Sequence, residues 1–189
     1  ESGLNDYLKN IEIPLIEVLA DMEFFGVFVE KNILKKMSNR TNIILKDLKE
    51  KIHSFSNESF NINSTQQLAK ILFDDIGLPQ IKKRSTAEEV LKQLSFQHEL
   101  PDYILKYRKY NKLKNTYLDS LPLLINSNSN RIHTTFNQTV AATGRLSSTN
   151  PNFQNIPIRT EEGREIRKAF ICQRKGWKIL SADYSQIEL

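Results

Sequence analysis

A chain of 189 residues, 39% hydrophobic and 26% charged, is long enough for one ordinary domain or two small ones, and that balance excludes a disordered or fibrous protein. No apolar run approaches the roughly 20 residues of a membrane span, and no basic-then-apolar leader opens the chain. The single cysteine, Cys172, excludes an internal disulfide and a cysteine-rich zinc site, so an intracellular compartment is expected; the net charge of +5 is a mild bias toward polyanionic partners.

In chain order, residues 11–21 (IEIPLIEVLAD) place Ile13, Ile16, Val18, Leu19 and Met22 at roughly helical spacing. A short helix is expected there, then a turn at Gly26 and an apolar stretch, Val27-Phe28-Val29. From Asn32 to about Phe55, Leu34, Met37, Thr41, Ile44, Leu48, Ile52 and Phe55 step by three and four, with the lysines mostly off that line. A seam this narrow predicts a long helix pairing with another helix. Ser64-Thr-Gln-Gln67 fits a capping box that opens a second helix, with Leu68, Ile71 and Leu72 inward and Gly77 and Pro79 ending it. A third, short helix is expected to begin near Ser85, with Glu88 and Glu89 at its positive end and Val90, Leu91 and Leu94 inward. Pro101 opens another long helix over roughly 102–121, whose Ile104, Tyr107, Leu113, Tyr117, Leu118 and Leu121 are expected to meet the first long helix as an antiparallel pair. Lys106, Arg108, Lys109, Lys112 and Lys114 follow one another there without an acid, the densest positive patch in the chain.

After Pro122 the character changes. Asn126-Ser-Asn-Ser-Asn130 reads as a hairpin loop, and residues 131–140 are β-branched and aromatic enough for a strand. Residues 143–160 read as extended and irregular, 164–170 as a helical turn, and 177–182 (WKILSA) as a buried strand that delivers Asp183 at its end, with Trp177 in the core. His53 and His98 have no partners at ligand spacing and read as surface residues; His133 reads as structural. The result is a helical hairpin module followed by an α/β module. The chain begins at Glu1 and stops at Leu189 in what reads as an uncapped first helical turn, so a fragment is expected.

Two constellations carry chemistry. In Asp183-Tyr-Ser-Gln-Ile-Glu188, a strand-end aspartate can project a carboxylate into a cleft, and hard cations such as magnesium take anionic oxygen ligands of this kind. The same residues also fit a helix cap, through Ser185 and Glu188 or Asp183 itself, and the spacing leaves both readings open. In Thr143-Gly-Arg-Leu-Ser-Ser148 and Asn150-Pro-Asn-Phe-Gln-Asn-Ile-Pro157, Gly144 permits close approach or a sharp turn. Arg145 brings a fork of donors, and Ser147, Ser148, Asn152, Gln154 and Asn155 bring neutral ones. Such donors suit phosphate, sugar or minor-groove acceptors, which every base pair offers; a plain polar surface loop has the same composition.

The run TGRLSSTNPNFQNIPIRTEEGREIRKAF at 143–170, followed by DYSQIEL, closely resembles the family A DNA polymerases of the bacterial DNA polymerase I type. MEFFGVFV at 22–29, FNINSTQQLAKILFDDIGLP at 60–79 and YRKYNKLKNTY at 107–117 are similar to the thumb of that family. The resemblance implies an α+β fold: a mostly helical thumb, then the first part of an antiparallel-sheet palm. Residues 1–30 would form a lead-in helix and connection, 31–121 the thumb, and 122–189 the N-terminal part of the palm.

It further implies DNA-directed DNA polymerase activity in replication and repair for the parent protein, with primer-template DNA and deoxynucleoside triphosphates as partners and two Mg2+ ions as cofactors. Asp183 and Glu188 are the implied catalytic positions: Asp183 resembles the aspartate that binds both metals, and Glu188 the steric gate against a ribose 2′-hydroxyl. The Tyr184 carbonyl would also touch metal, and Tyr184, Ser185 and Gln186 join Glu188 on the nucleotide side. Arg145 resembles the arginine that reads the minor groove at the primer end, and Asn152 and Asn155 resemble duplex-contacting asparagines. Ser147, Ser148 and Gln154 are grouped with them, and Arg108, Lys112, Asn115 and Thr116 are grouped as thumb contacts to DNA. The second palm carboxylate and the fingers helix of the family are not in this sequence, so these 189 residues are expected not to polymerise alone. A non-catalytic DNA-binding protein is the alternative. A monomer in the bacterial cytoplasm, or in an organelle of such origin, is expected, with no membrane partner. One departure is the connection Ile81-Lys-Lys-Arg-Ser-Thr86, shorter than the family's usual one.

Overall fold

The structure, a computed structural model, describes residues 3–56 and 58–185. The architecture is α+β, mostly helical with small antiparallel sheets. It divides into two compact units: Lys36–Thr116, and Glu1–Lys35 together with Tyr117–Leu189.

The 36–116 unit is helical. The long helix α3 (Lys31–His53) buries the expected seam, with Leu34, Met37, Thr41, Leu48 and Ile52 all inside. At 65–75, α4 (Thr65–Ala69) runs directly into a π-helical turn, Lys70–Asp75. Ser64 Oγ accepts from the Gln67 amide at 3.4 Å, as a capping box requires. The reciprocal bond differs from expectation: Gln67 Oε1 accepts from the Asn61 amide at 2.6 Å, because the Ser64 amide already donates to the Asn61 carbonyl. Then α5 (Glu88–Leu94) and α6 (Glu99–Leu113) close over one apolar core. Ile52, Leu68, Leu72, Leu91, Leu94, Leu100 and Ile104 lie at its centre. His98, expected as a plain surface residue, caps α6 by accepting the Leu100 amide on Nδ1 at 3.1 Å. Phe55, just past α3, packs on Tyr103 of α6 with ring centroids 6.1 Å apart, so the end of one long helix meets the start of the other, as an antiparallel pair requires. The short connection is an exposed extended segment, β2 (Ile81–Arg84). Arg84 grips Asp74 with two N–H donors and Lys82 reaches Glu89 at 2.9 Å. The Arg84 guanidinium holds the Asp74 carboxyl below its ordinary pKa.

The other unit opens with a helical run longer than the expected short helix: α1 (Leu4–Tyr7), a π-helical turn (Leu8–Glu12) and α2 (Ile13–Phe25). Of the five apolar residues at helical spacing, Leu19 is buried while Ile13, Ile16, Val18 and Met22 are each about half exposed. Helical spacing fixes which residues share a face, but burial requires a partner surface for it. Gly26 makes the turn, and β1 (Val27–Phe28) pairs antiparallel with β3 (Arg131–Ile132), Val27 opposite Ile132. The predicted 131–140 strand is interrupted, and resumes as β4 (Thr135–Asn137) paired with β5 (Ser147–Thr149). The loop expected as a hairpin at 126–130 instead joins the 3-10 turn Leu121–Leu124 to β3, whose ladder partner is β1; Asn126 shapes it, its Oδ1 accepting from the Asn128 and Ser129 amides. The helix α7 (Glu161–Arg167) starts three residues before the expected turn, because the Thr160 hydroxyl accepts the Gly163 amide at 3.1 Å.

Residues 177–182 correct an expectation. They form no strand, and Ile179 and Leu180 are 66% and 90% exposed. Trp177, expected in the core, is half exposed and stacks with Arg174 5.0 Å from its ring. An apolar run becomes a strand only when a neighbour completes its ladder, and among the described residues none lies beside this one.

Candidate nucleic-acid interface

On the helical unit, the positive patch of α6 is less uniform than its sequence. Lys106 is paired with Asp102 one turn earlier at 2.7 Å. Arg108 is half-buried and turns inward, donating to the Thr86 carbonyl and, at 3.3 Å, to the Thr86 hydroxyl. Burial lowers its pKa from the ordinary guanidinium value, yet a guanidinium stays charged at neutral pH. Lys112 is exposed, and so are Asn115, whose amide donates to Asn111 at 3.3 Å, and Thr116. Arg108 therefore contributes charge and braces the 84–87 turn, while Lys112, Asn115 and Thr116 present polar atoms to solvent.

On the other unit, residues 143–157 form a folded loop rather than an irregular one. Gly144 has φ +74° with open space around it, and Arg145 beside it is exposed. Asn152 caps the 3-10 turn Phe153–Asn155, its Oδ1 accepting the Gln154 amide at 2.9 Å. The Asn155 carbonyl accepts the hydroxyl of Tyr117, whose pKa burial raises. Asn152 and Asn155 are both exposed.

Ser147 and Ser148 have buried hydroxyls, whereas Gln154 is exposed but spends its side-chain amide within the loop. Ser148 is fully buried, with its hydroxyl 2.7 Å from that of Thr134 and accepting the Phe153 amide. Gln154 bridges the loop, accepting from the Ser148 amide and donating to the Leu146 carbonyl at 2.9 Å. Ser147 Oγ is buried with no hydrogen-bond partner among the described residues. In this conformation Ser148 and Gln154 tie the loop through their side chains. Because an unsatisfied buried hydroxyl is costly, Ser147→Ala is expected to leave stability unchanged or raise it by about 1 kcal/mol, read by thermal unfolding. A fall in melting temperature would show that the hydroxyl has a partner.

The residues sequence reasoning missed are those behind the loop. Thr134 lies in the break between β3 and β4, and Glu23 holds both flanks of that break. The Glu23 carbonyl lies 2.8 Å from His133 Nδ1, and its carboxylate accepts the Phe136 amide at 2.6 Å. His133, read as structural, and Tyr117, through its helical spacing, gave the signals.

Asp183, Tyr184 and Ser185 lie on exposed coil, Tyr184 being 82% exposed. Gln186 and Glu188 fall outside the described residues. Among the described residues, no three His, Cys, Asp or Glu side chains gather closely enough to hold a metal ion. No helix of the described residues is long and apolar enough to cross a membrane.

The chain is similar to several known proteins. It is 50% identical to DNA polymerase I of Bacillus subtilis over 98% of its own length and 22% of that protein's. Against the thermostable DNA polymerase I of Thermus thermophilus it is 46% identical over 96% of the chain and 22% of the relative. It thus spans about a fifth of the length of these curated relatives. Among solved structures it superposes on the POL domain of Pol1 from M. smegmatis, in complex with DNA primer-template and dNTP, with a TM-score of 0.81 and 40% identity. That match covers 87% of this chain and 30% of the other. The DNA polymerase family A model matches residues 31–189. With that match over most of its length, the chain belongs to DNA polymerase family A.

Proposed function

We propose that the protein carrying this chain is a DNA-directed DNA polymerase, acting in replication and repair, and that residues 31–121 are its thumb and 122–189 the start of its palm. The observation that carries this reading is the 40% identity to a polymerase domain that binds primer-template and dNTP. The separate compact unit Lys36–Thr116 supports the thumb assignment. Bacterial cytoplasm and a monomeric state are the proposed setting.

In the proposed reaction the primer 3′-oxygen attacks the α-phosphorus of a deoxynucleoside triphosphate. The new phosphorus–oxygen bond forms as the bond to the β-phosphate bridging oxygen breaks, the hydroxyl proton is lost, and pyrophosphate leaves. Catalysis of this kind is mainly positioning and charge neutralisation. Lys112, Asn115 and Thr116 would hold duplex phosphates, with Arg108 adding charge behind them. Arg145, Asn152 and Asn155 would take minor-groove and sugar acceptors at the primer end.

The exposed carboxylate of Asp183 and the carbonyl of Tyr184 are hard oxygen donors, and they fit magnesium, which is held by one or two carboxylates plus water and substrate phosphates. When bound, magnesium supplies charge neutralisation at the reacting oxygens. Ser185, Gln186 and Glu188 are the proposed nucleotide-side neighbours, Glu188 closing the space of a 2′-hydroxyl. With one acid of the pair, these 189 residues alone would not extend a primer.

The test uses the full-length protein, a labelled primer-template, the four dNTPs and Mg2+. Stepwise primer extension is expected; a salt-sensitive shift of the duplex with no extension would instead identify a non-catalytic DNA-binding protein.

A further inference from the structure

Behind the 143–157 loop lies a closed hydrogen-bond hub that the reaction itself does not use. Thr134 is 5% exposed and Ser148 is fully buried. Thr134 Oγ1 lies 2.7 Å from Ser148 Oγ, 2.8 Å from the Pro151 carbonyl and 3.0 Å from the Thr149 carbonyl. Ser148 Oγ also lies 3.1 Å from the Pro151 carbonyl and receives the Phe153 amide at 3.2 Å. Two hydroxyls carry two protons, and either order of donation within the pair ends on the Pro151 carbonyl while the Phe153 N–H feeds in from the other side. The pair thereby fixes the loop where it turns from β5 into the 3-10 turn. Gln154 adds a second tie, from the Ser148 amide to the Leu146 carbonyl.

The hub is anchored at its back. Beside Thr134, His133 lies against the Glu23 carbonyl, and two residues further on the Phe136 amide donates to the Glu23 carboxylate near the end of α2. His133 is further held through Nε2, 2.7 Å from the Ser129 hydroxyl. Thr134 thus links the backbone held by Glu23 to the loop bearing Arg145, Asn152 and Asn155, and Asn137 Nδ2 adds another tie, to Thr149 Oγ1 at 3.2 Å. Other features carry less: the exposed apolar face of α2 has nothing to say what covers it, and the polar cleft around Asn63, Arg84 and Arg108 belongs to the proposed DNA-facing thumb.

We propose that Thr134 and Ser148 are positioning residues, a buried hydroxyl pair that sets the primer-end loop in its DNA-binding conformation without touching DNA. The proposal rests on the polymerase reading above. It separates two roles that look alike in sequence: within the same loop, Ser148 builds the scaffold while Arg145, Asn152 and Asn155 make the contacts. The threonine hydroxyl is the critical atom, since a valine of the same shape removes it while a serine keeps it.

The experiment compares wild type, Thr134→Val and Thr134→Ser in the full-length protein. Three readings are taken: primer-template affinity by fluorescence anisotropy, steady-state extension, and hydrogen exchange of the Phe153 amide. Thr134→Val is expected to raise the DNA dissociation constant and the KM for primer-template by about tenfold, with kcat at saturating DNA within about twofold of wild type, and Thr134→Ser to restore both. Phe153 exchange should accelerate in the valine variant and recover in the serine variant. Wild-type DNA affinity in Thr134→Val, or a serine variant as weak as the valine one, overturns the proposal. Should Thr134→Val fail to fold, Ser148→Ala takes its place: tenfold weaker DNA binding supports the hub, and unchanged binding overturns it. A wild-type protein that never extends primers would sink the polymerase reading alone, because the Phe153 exchange pattern still decides whether the hub sets the loop.

Discussion

Replacing Asp183 with alanine in the full-length protein is expected to lower magnesium-dependent primer extension by on the order of 10³-fold or more, since metal stabilisation of transition-state charge is worth several kcal/mol. The expectation starts from exposure: Asp183 lies on solvent-facing coil. Surface substitutions away from packed or paired groups usually stay within about 0.5 kcal/mol in stability, so the melting temperature should hold. Duplex affinity should also hold, because the residues proposed to grip DNA are on α6 and the 143–157 loop. Asp183→Asn, which keeps the shape and removes the charge, should fail as alanine does. Primer extension, melting temperature and anisotropy on one protein preparation separate the cases. Ordinary turnover in either variant would remove Asp183 from the catalytic set; loss of DNA binding alongside activity would recast it as a structural residue.

What the sequence made legible depends on how locally each feature is encoded. The seam from Leu34 to Ile52, the cap at Ser64 and a turn at Asn126–Asn130 are written within a few residues of themselves, and the structure has all three, though the turn closes no hairpin because β3 pairs with β1. The run at 177–182 satisfied every local criterion for a buried strand and is exposed, because a ladder belongs to two segments and sequence pattern describes only one. β5 was missed for the complementary reason: Ser147-Ser148-Thr149 is a three-residue polar stretch with no alternation of its own, held by its register against Thr135–Asn137. The same limit governs the candidate site. Arg145, Asn152 and Asn155 were readable as exposed donors in a polar loop. The internal hydrogen bonds of Ser148, Gln154 and Arg108 were not, because their partners Thr134, Leu146 and Thr86 are chosen by the fold.

Gly26 shows how a locally legible residue carries a second, hidden constraint, and Gly26→Ala is expected to cost the fold heavily. Its backbone sits at φ 64°, ψ −173°, a region open in practice only to glycine, where any side chain costs about 1–3 kcal/mol. A Cβ there would also lie 2.8 Å from the Ile132 carbonyl oxygen and 2.7 Å from His133 Nδ1. Neither neighbour can yield. Ile132 is fixed by its pairing with Val27, and the His133 ring is held between the Glu23 carbonyl and the Ser129 hydroxyl. Forcing such an overlap adds about 1–3 kcal/mol, for a combined cost of about 2–6 kcal/mol set against a domain stability of about 5–15. Gly77 is the control, because it has φ 79° but open space around it, so Gly77→Ala should cost only the left-handed strain of about 1–2 kcal/mol. Thermal unfolding of the two variants in the same protein checks this. Gly26→Ala is expected to melt clearly below Gly77→Ala, and equal losses would show that the approach of β3 to this turn constrains nothing.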